Sequence, residues 1–176
     1  MQSGFWRNFL VVFSFFVALI LQTTLFPLMQ YKGAMPDLLL ILVVFTAFFS
    51  NAAVGGSVGF IVGFMQDLII SRYLGLYALS AFLTGYIVGK LENKFFKENP
   101  LVCILIVFIS TYFYNFVYFI GRGLCGSLPL SFMQMAEITF IEAVYNIVLT
   151  FLFYYPLMRL FYKKPKADDY RKSLYR

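Results

Sequence analysis

Between Phe9 and Leu160 the chain is a succession of apolar runs, most of them close to a bilayer-crossing length, parted by short polar stretches. This pattern constrains the fold more than any single motif. A hydrocarbon core of about 30 Å takes about 20 helical residues to cross. Inside it every backbone N–H and C=O must find a partner within the protein, and runs of this length meet that demand as helices. Composition agrees: 61% of residues are hydrophobic and 12% charged, with mean hydropathy +0.81. A soluble domain carries about 25% charged residues. The reading is an all-α integral membrane protein with one membrane domain, residues 1–162, and a basic tail, residues 163–176. Nothing outside the apolar runs is long enough to fold by itself.

Six segments are expected. Phe9 to Leu28 is the first, with Gln22 and Thr23 as its strongly polar positions and Pro27 marking its end. Met1 to Leu21 looks like a signal peptide but lacks a small-x-small cleavage site, so it reads as an uncleaved span. Pro36-Asp37 opens the second segment. Proline at a first helical turn loses no needed hydrogen bond, and an acid there suits the positive end of the helix dipole. Leu38 to Phe49 follows, then a weak break at Ser50-Asn51, then Ala52 to Ile70. After a turn at Ser71-Arg72-Tyr73, Leu74 to Gly89 forms the fourth segment. Lys90 to Pro100 is a charged loop, and Leu101 to Ile120 is the fifth span, with Asn115 inside it. Gly121 to Ala136 reads as a Gly/Ser/Pro loop. Glu137 to Leu160 is the sixth span, with Glu142 and Asn146 one helical turn apart.

Charge orients these segments. Loops on the cytoplasmic side are enriched in Lys and Arg. With six crossings and both termini inside, eleven cations face inward and three, Lys32, Arg72 and Arg122, face outward. Five crossings would put the Lys90–Lys97 loop and the basic tail outside, so six is preferred. Asp37, Asp67, Glu137 and Glu142 then fall toward the outer side, at the level of the outer cations. An outer polar cluster of Arg72, Arg122, Glu142 and Asn146 follows, with Arg72 or Arg122 as the expected partner of Asp67. The basic tail is expected to meet anionic lipid.

One stretch has unusual spacing. Gly55, Gly59, Gly63 and Asp67 fall four apart, so they share one helix face. In lipid, such small-residue stripes let helix backbones approach closely. A carboxylate in a membrane segment faces protein or water, because lipid costs it a few kcal/mol or more. Two readings stand side by side: the stripe is internal packing with Asp67 a satisfied structural acid, or stripe and acid form a surface for a partner.

Several chemistries are excluded by what the chain contains. It has no histidine, which removes histidine acid/base chemistry and histidine metal ligation. One apolar helix separates Cys103 from Cys125 and places them toward opposite faces of the bilayer, too far apart for a disulfide, and no metal-binding spacing exists. Gly55-Gly-Ser-Val-Gly lacks the lysine of a phosphate-binding loop. No nucleophile lies near a base in a catalytic spacing. The expectation is therefore no enzyme, no cofactor and no metal. The Glu142/Asn146 pair could pass protons or ions, and without a lysine or histidine relay it points there only weakly.

Pro36-Asp37-Leu-Leu-Leu, the Gly55-xxx-Gly59-xxx-Gly63-Phe-Met-Gln-Asp67-Leu run and Leu74-Gly75-Leu-Tyr-Ala-Leu resemble, in order and spacing, the bacterial MreD family of rod shape-determining proteins. The motifs lie between Pro36 and Gly89; the last two spans match in character alone. The resemblance implies a non-enzymatic component of the cell-elongation machinery in the cytoplasmic membrane. It implies binding to MreC and a place with MreB, RodA and a penicillin-binding transpeptidase, coupling filaments inside to peptidoglycan synthesis outside. A second copy of the chain is a further candidate partner, and nucleic acid is not expected. On this reading Gly55, Gly59, Gly63 and Asp67 form the organising face, and Pro36 and Asp37 fix entry into the second segment. The alternative is a small-molecule-binding subunit similar to those of energy-coupling-factor transporters, which share the size and helix count.

Overall fold

The computed structural model describes residues 2–70, 73–91, 99–126 and 131–161. Arg72, most of the Lys90–Pro100 loop and the basic tail lie outside the described residues. Among those described are six α-helices: α1 (Gln2–Thr24), α2 (Leu38–Phe49), α3 (Ala52–Ile70), α4 (Leu76–Lys90), α5 (Pro100–Leu124) and α6 (Phe132–Phe161). A 3-10 turn, Phe26–Met29, follows α1. The fold is all-helical.

Helix boundaries follow local chemistry. Ser50-Asn51 breaks α2 from α3, and the Asn51 carboxamide oxygen accepts the Val54 amide at 2.9 Å, satisfying one orphan donor of the new helix. Asn99 does the same for Leu101 at 2.9 Å, with Pro100 at the first helical position of α5. Three limits differ from expectation. The first helix stops at Thr24, and Pro27 sits in the 3-10 turn. Helix α5 continues through Gly121 and Gly123 to Leu124, and α6 begins at Phe132, so much of the expected Gly/Ser/Pro loop is helical. Glycine lowers helix propensity by about 1 kcal/mol, too little to end a helix whose flanks are already committed. Cys103 and Cys125 lie in α5 and just past its end, and no disulfide joins them.

Helix α2 is the axis of the protein. Every residue from Leu39 to Phe48 is buried, and α2 packs against each of the other five helices. Its twelve residues span only about 18 Å, and the other helices wrap it on all sides. The outer helices have the opposite polarity to a soluble bundle. Helix α6 turns Thr139, Ala143, Asn146 and Thr150 inward and exposes Phe140, Val148, Phe151 and Leu152. Helix α3 turns its glycines, Gln66 and Asp67 inward and exposes Phe60, Ile61, Leu68 and Ile69. Small and polar residues inside with large apolar residues outside is the arrangement that lipid favours. Helices α3, α5 and α6 are long and apolar enough to cross a membrane; Asn8–Thr24 of α1 and Leu38–Phe49 of α2 are shorter apolar helices.

Candidate functional site

The glycine stripe lies against α4. A methyl group added at Gly59 would overlap the Ala81 carbonyl, one at Gly63 the Tyr77 carbonyl, and one at Gly55 the Gly85 carbonyl. Gly85 meets Gly55 in return, and Gly89 would meet the Ala52 backbone at 2.5 Å. The two helices are thus antiparallel and packed backbone to backbone over four turns, the most extensive helix pair in the protein. Only glycine allows that approach. The open choice between an internal neighbour and a partner for this face is met by α4, which covers it along its length.

Asp67 ends the stripe at the start of α4. Its two carboxylate oxygens accept the Tyr77 amide at 3.1 Å and the Ala78 amide at 2.9 Å. These are the second and third helical residues of α4, donors with no partner inside their own helix. The residue at the N-cap is Gly75, with φ +99°, which has no side chain to cap with. Helix α3 therefore supplies the missing cap from ten residues upstream. Asp67 is 1% exposed, and it faces the positive end of a helix dipole. Sequence reasoning expected an arginine there. Two main-chain amides take that place among the described residues; Arg72 lies outside them, and Arg122 sits in the last turn of α5.

A second buried helix end lies at the start of α2. Asp37 is its N-cap, and its Oδ1 accepts the Leu40 amide at 2.8 Å. Pro36 precedes the cap rather than occupying the first helical turn. The Gln22 carboxamide oxygen, from α1, accepts the Leu39 amide at 3.3 Å. Asn146, from α6, accepts the Asp37 amide at 2.9 Å and donates to the Thr111 hydroxyl of α5 at 3.1 Å. Thr111 in turn donates to the Val107 carbonyl at 2.9 Å. Four helices thereby meet at one helix end, with Asn146 and Thr111 fully buried.

Beside this end is a small cavity of about 70 Å³. Asp37 and Glu142 both line it, with Gln22, Gln66 and Asn115. Tyr77, Tyr114 and Tyr118 share the wall with Met35, Pro36 and Ile70; the Tyr77 and Tyr118 rings stack with centroids 4.5 Å apart. The Glu142 carboxylate accepts a hydrogen bond from the Asn115 side-chain Nδ2 at 3.0 Å. Glu142 and Asn146, expected as a pair, thus take different partners. The arrangement groups Glu142 with Asp37 and neutral amides, and Arg122 is not among the lining residues. Gln66 and Tyr77 stood inside the motifs of the family resemblance with no role of their own, and Tyr114 and Tyr118 carried no sequence signal that separated them from other apolar-helix residues. Outside the cavity Lys32 and Glu137 form an exposed ion pair at 2.6 Å, and the carboxylate raises the Lys32 pKa above its ordinary value.

Fold and polar architecture define a class: an all-helical membrane protein in which side chains from neighbouring helices cap buried helix ends. The chain matches the family model described as rod shape-determining protein MreD over residues 3–165. It belongs to the MreD family of rod shape-determining membrane proteins. No curated protein and no solved structure matches it.

Proposed function

We propose that this protein is a non-enzymatic, multi-pass scaffold of the cell-elongation complex in the cytoplasmic membrane. It crosses six times with both termini in the cytoplasm, binds MreC, and helps couple MreB filaments to peptidoglycan synthesis by RodA and a penicillin-binding transpeptidase. The observation that carries this reading is the family match across residues 3–165. Charge supports the topology: eleven cations inside against three outside is the bias that orients membrane helices. The wrapped α2 supports it too, since a short helix can traverse when protein surrounds it. The basic tail, residues 163–176, is the element proposed to touch anionic lipid.

Since α4 covers Gly55, Gly59 and Gly63, contact with MreC or a second copy falls to other surfaces. The stripe's role is to hold the fold that presents them. The transporter-subunit reading gains no support: drug-sized ligands take pockets of about 300–1,000 Å³, the polar cavity measures about 70 Å³, and the clefts of about 930 and 570 Å³ are lined by none of Asp67, Asn115, Glu142 and Asn146.

Depletion in a rod-shaped host tests the function. Cells should round, and tagged protein should bring MreC out of solubilised membranes. Cells that stay rods, or a tagged protein recovered without MreC, would contradict it. In a cysteine-free background, Lys32→Cys should react with an impermeant maleimide from outside, and Lys94→Cys should not.

A further inference from the structure

At the end of the protein opposite the Asp37 cavity, parts of α1, α2, α3 and α6 enclose the cleft of about 570 Å³. Its walls change with depth. At the mouth stand Asn8 and Ser50, whose side chains bond to no other residue among those described. One turn further in, the Thr46 hydroxyl is spent on the Leu42 carbonyl at 2.7 Å, and Val12 and Val58 carry the wall deeper along α1 and α3. Free polar groups thus lie at the mouth alone. The Phe161 ring packs on Phe45 of α2 with centroids 6.4 Å apart, which fixes the end of α6 at the same mouth. The sequence around the mouth carries charge of one sign. Arg7 precedes Asn8, Arg159 precedes Leu160, and Lys163, Lys164 and Lys166 follow Phe161, while no Asp or Glu lies within six residues in sequence of a lining position. Arg159 is exposed in the last turn of α6. Size limits the occupant. An α-helix is about 10–12 Å across, so two turns of one displace roughly 900 Å³ or more, and the cleft suits something slimmer.

We propose that this cleft seats one anionic phospholipid, its phosphate at Asn8, Ser50 and the flanking cations, and one acyl chain along Val12 and Val58. Basic pockets between membrane helices on the cytoplasmic side take such headgroups. Asn8 and Ser50 supply neutral donors, and the cations supply the preference for net negative charge. Helix α2 ends where α3 begins, so the opposite dipole ends of the two helices offset one another there, and selectivity falls to the side chains. A seated lipid would join α1, α3 and α6 around the finish of α2, as the Asn146 network joins helices around its start. The proposal deepens the contact of the basic tail with anionic lipid and rests on that reading; the six-crossing topology decides only which leaflet supplies the lipid.

Lipid titration of the purified full chain in neutral detergent tests the seat. Phosphatidylglycerol should raise the Tm saturably, with about one molecule retained per chain in native mass spectrometry, since a ligand that binds only the folded state stabilises it. Phosphatidylcholine and inorganic phosphate should do neither. Val12→Trp fills the cleft from a position that is 69% exposed, and should abolish the saturable rise. Val148→Trp, at an exposed valine of α6 that does not line the cleft, should keep it. Arg159→Gln should weaken phosphatidylglycerol about fivefold. No saturable rise with phosphatidylglycerol, or an equal rise with phosphatidylcholine or inorganic phosphate, overturns the proposal. If Lys163→Gln with Lys164→Gln removes the response while Val12→Trp keeps it, the tail touches lipid outside the cleft, and the seat falls while the tail contact stands. If Val12→Trp keeps the response but no longer brings MreC out of membranes, the cleft is a groove for protein and the proposal falls. Should Val12→Trp not fold, the lipid count on the wild-type chain decides, and a chain that retains no phosphatidylglycerol refutes the seat.

Discussion

The α3–α4 seam and the α2 entry meet the same demand by opposite means. At the seam, side chains are removed: Gly55, Gly59 and Gly63 let two helix backbones touch. At the α2 entry, side chains are added: Gln22, Asp37 and Asn146 reach in from three parts of the chain to occupy amides that the helix cannot satisfy itself. Asp67 belongs to both regions, since it ends the glycine row and caps α4. The seam is local, built from two helices consecutive in the chain. The entry is long-range, with Asp37 and Asn146 separated by 109 residues. Close packing tolerates no added volume, whereas a capping network tolerates volume but not a lost acceptor.

Substitutions can break this contrast. The largest effect is expected from Gly59→Leu, which pushes α3 off α4. Overpacking that moves backbones should cost about 3 kcal/mol or more, seen as loss of the monodisperse species in size-exclusion chromatography of the fluorescent fusion. Next comes Asn146→Leu, which keeps the volume but strips the Asp37 amide and the Thr111 hydroxyl of a partner. The expected loss is about 1–3 kcal/mol, read as a lower Tm with the elution profile unchanged. If Asn146→Leu melts like wild type, the entry is not held as described. The smallest effect belongs to Lys32→Ala. Its ion pair with Glu137 is about half exposed on both sides, and in about 0.5 M salt the variant's Tm should match wild type, because screening removes most of such a surface attraction.

What the sequence disclosed differs between the two regions for physical reasons. The limits of α2 and α3 coincide with the expected Leu38–Phe49 and Ala52–Ile70, because Ser50-Asn51 is a capping break visible in the chain itself. The shared face of Gly55, Gly59, Gly63 and Asp67 follows from a spacing of four. Which helix fills that face did not follow. Nor did the amides that hold Asp67: helix ends act as cations, yet no residue letter marks them. Gly75 was the available hint, a helix start without a capping side chain. The end of α5 and the start of α6 were missed because Gly121 and Gly123 read as loop, yet both lie inside α5. The grouping of Asp37 with Glu142 was out of reach, since it depends on where α2, α5 and α6 converge.

The central claim is that Asp67 caps the buried start of α4, and amide hydrogen exchange at Tyr77 and Ala78 tests it most directly. Amides at the second and third positions of a helix normally exchange fast, having no acceptor within it. The account requires these two to be protected in the wild-type protein. In Asp67→Ala they should become exposed, with a stability loss of about 2–5 kcal/mol for two orphaned donors, while the interior amides of α2 stay protected. Rapid exchange at Tyr77 and Ala78 in the wild type, or protection unchanged in Asp67→Ala, would contradict it.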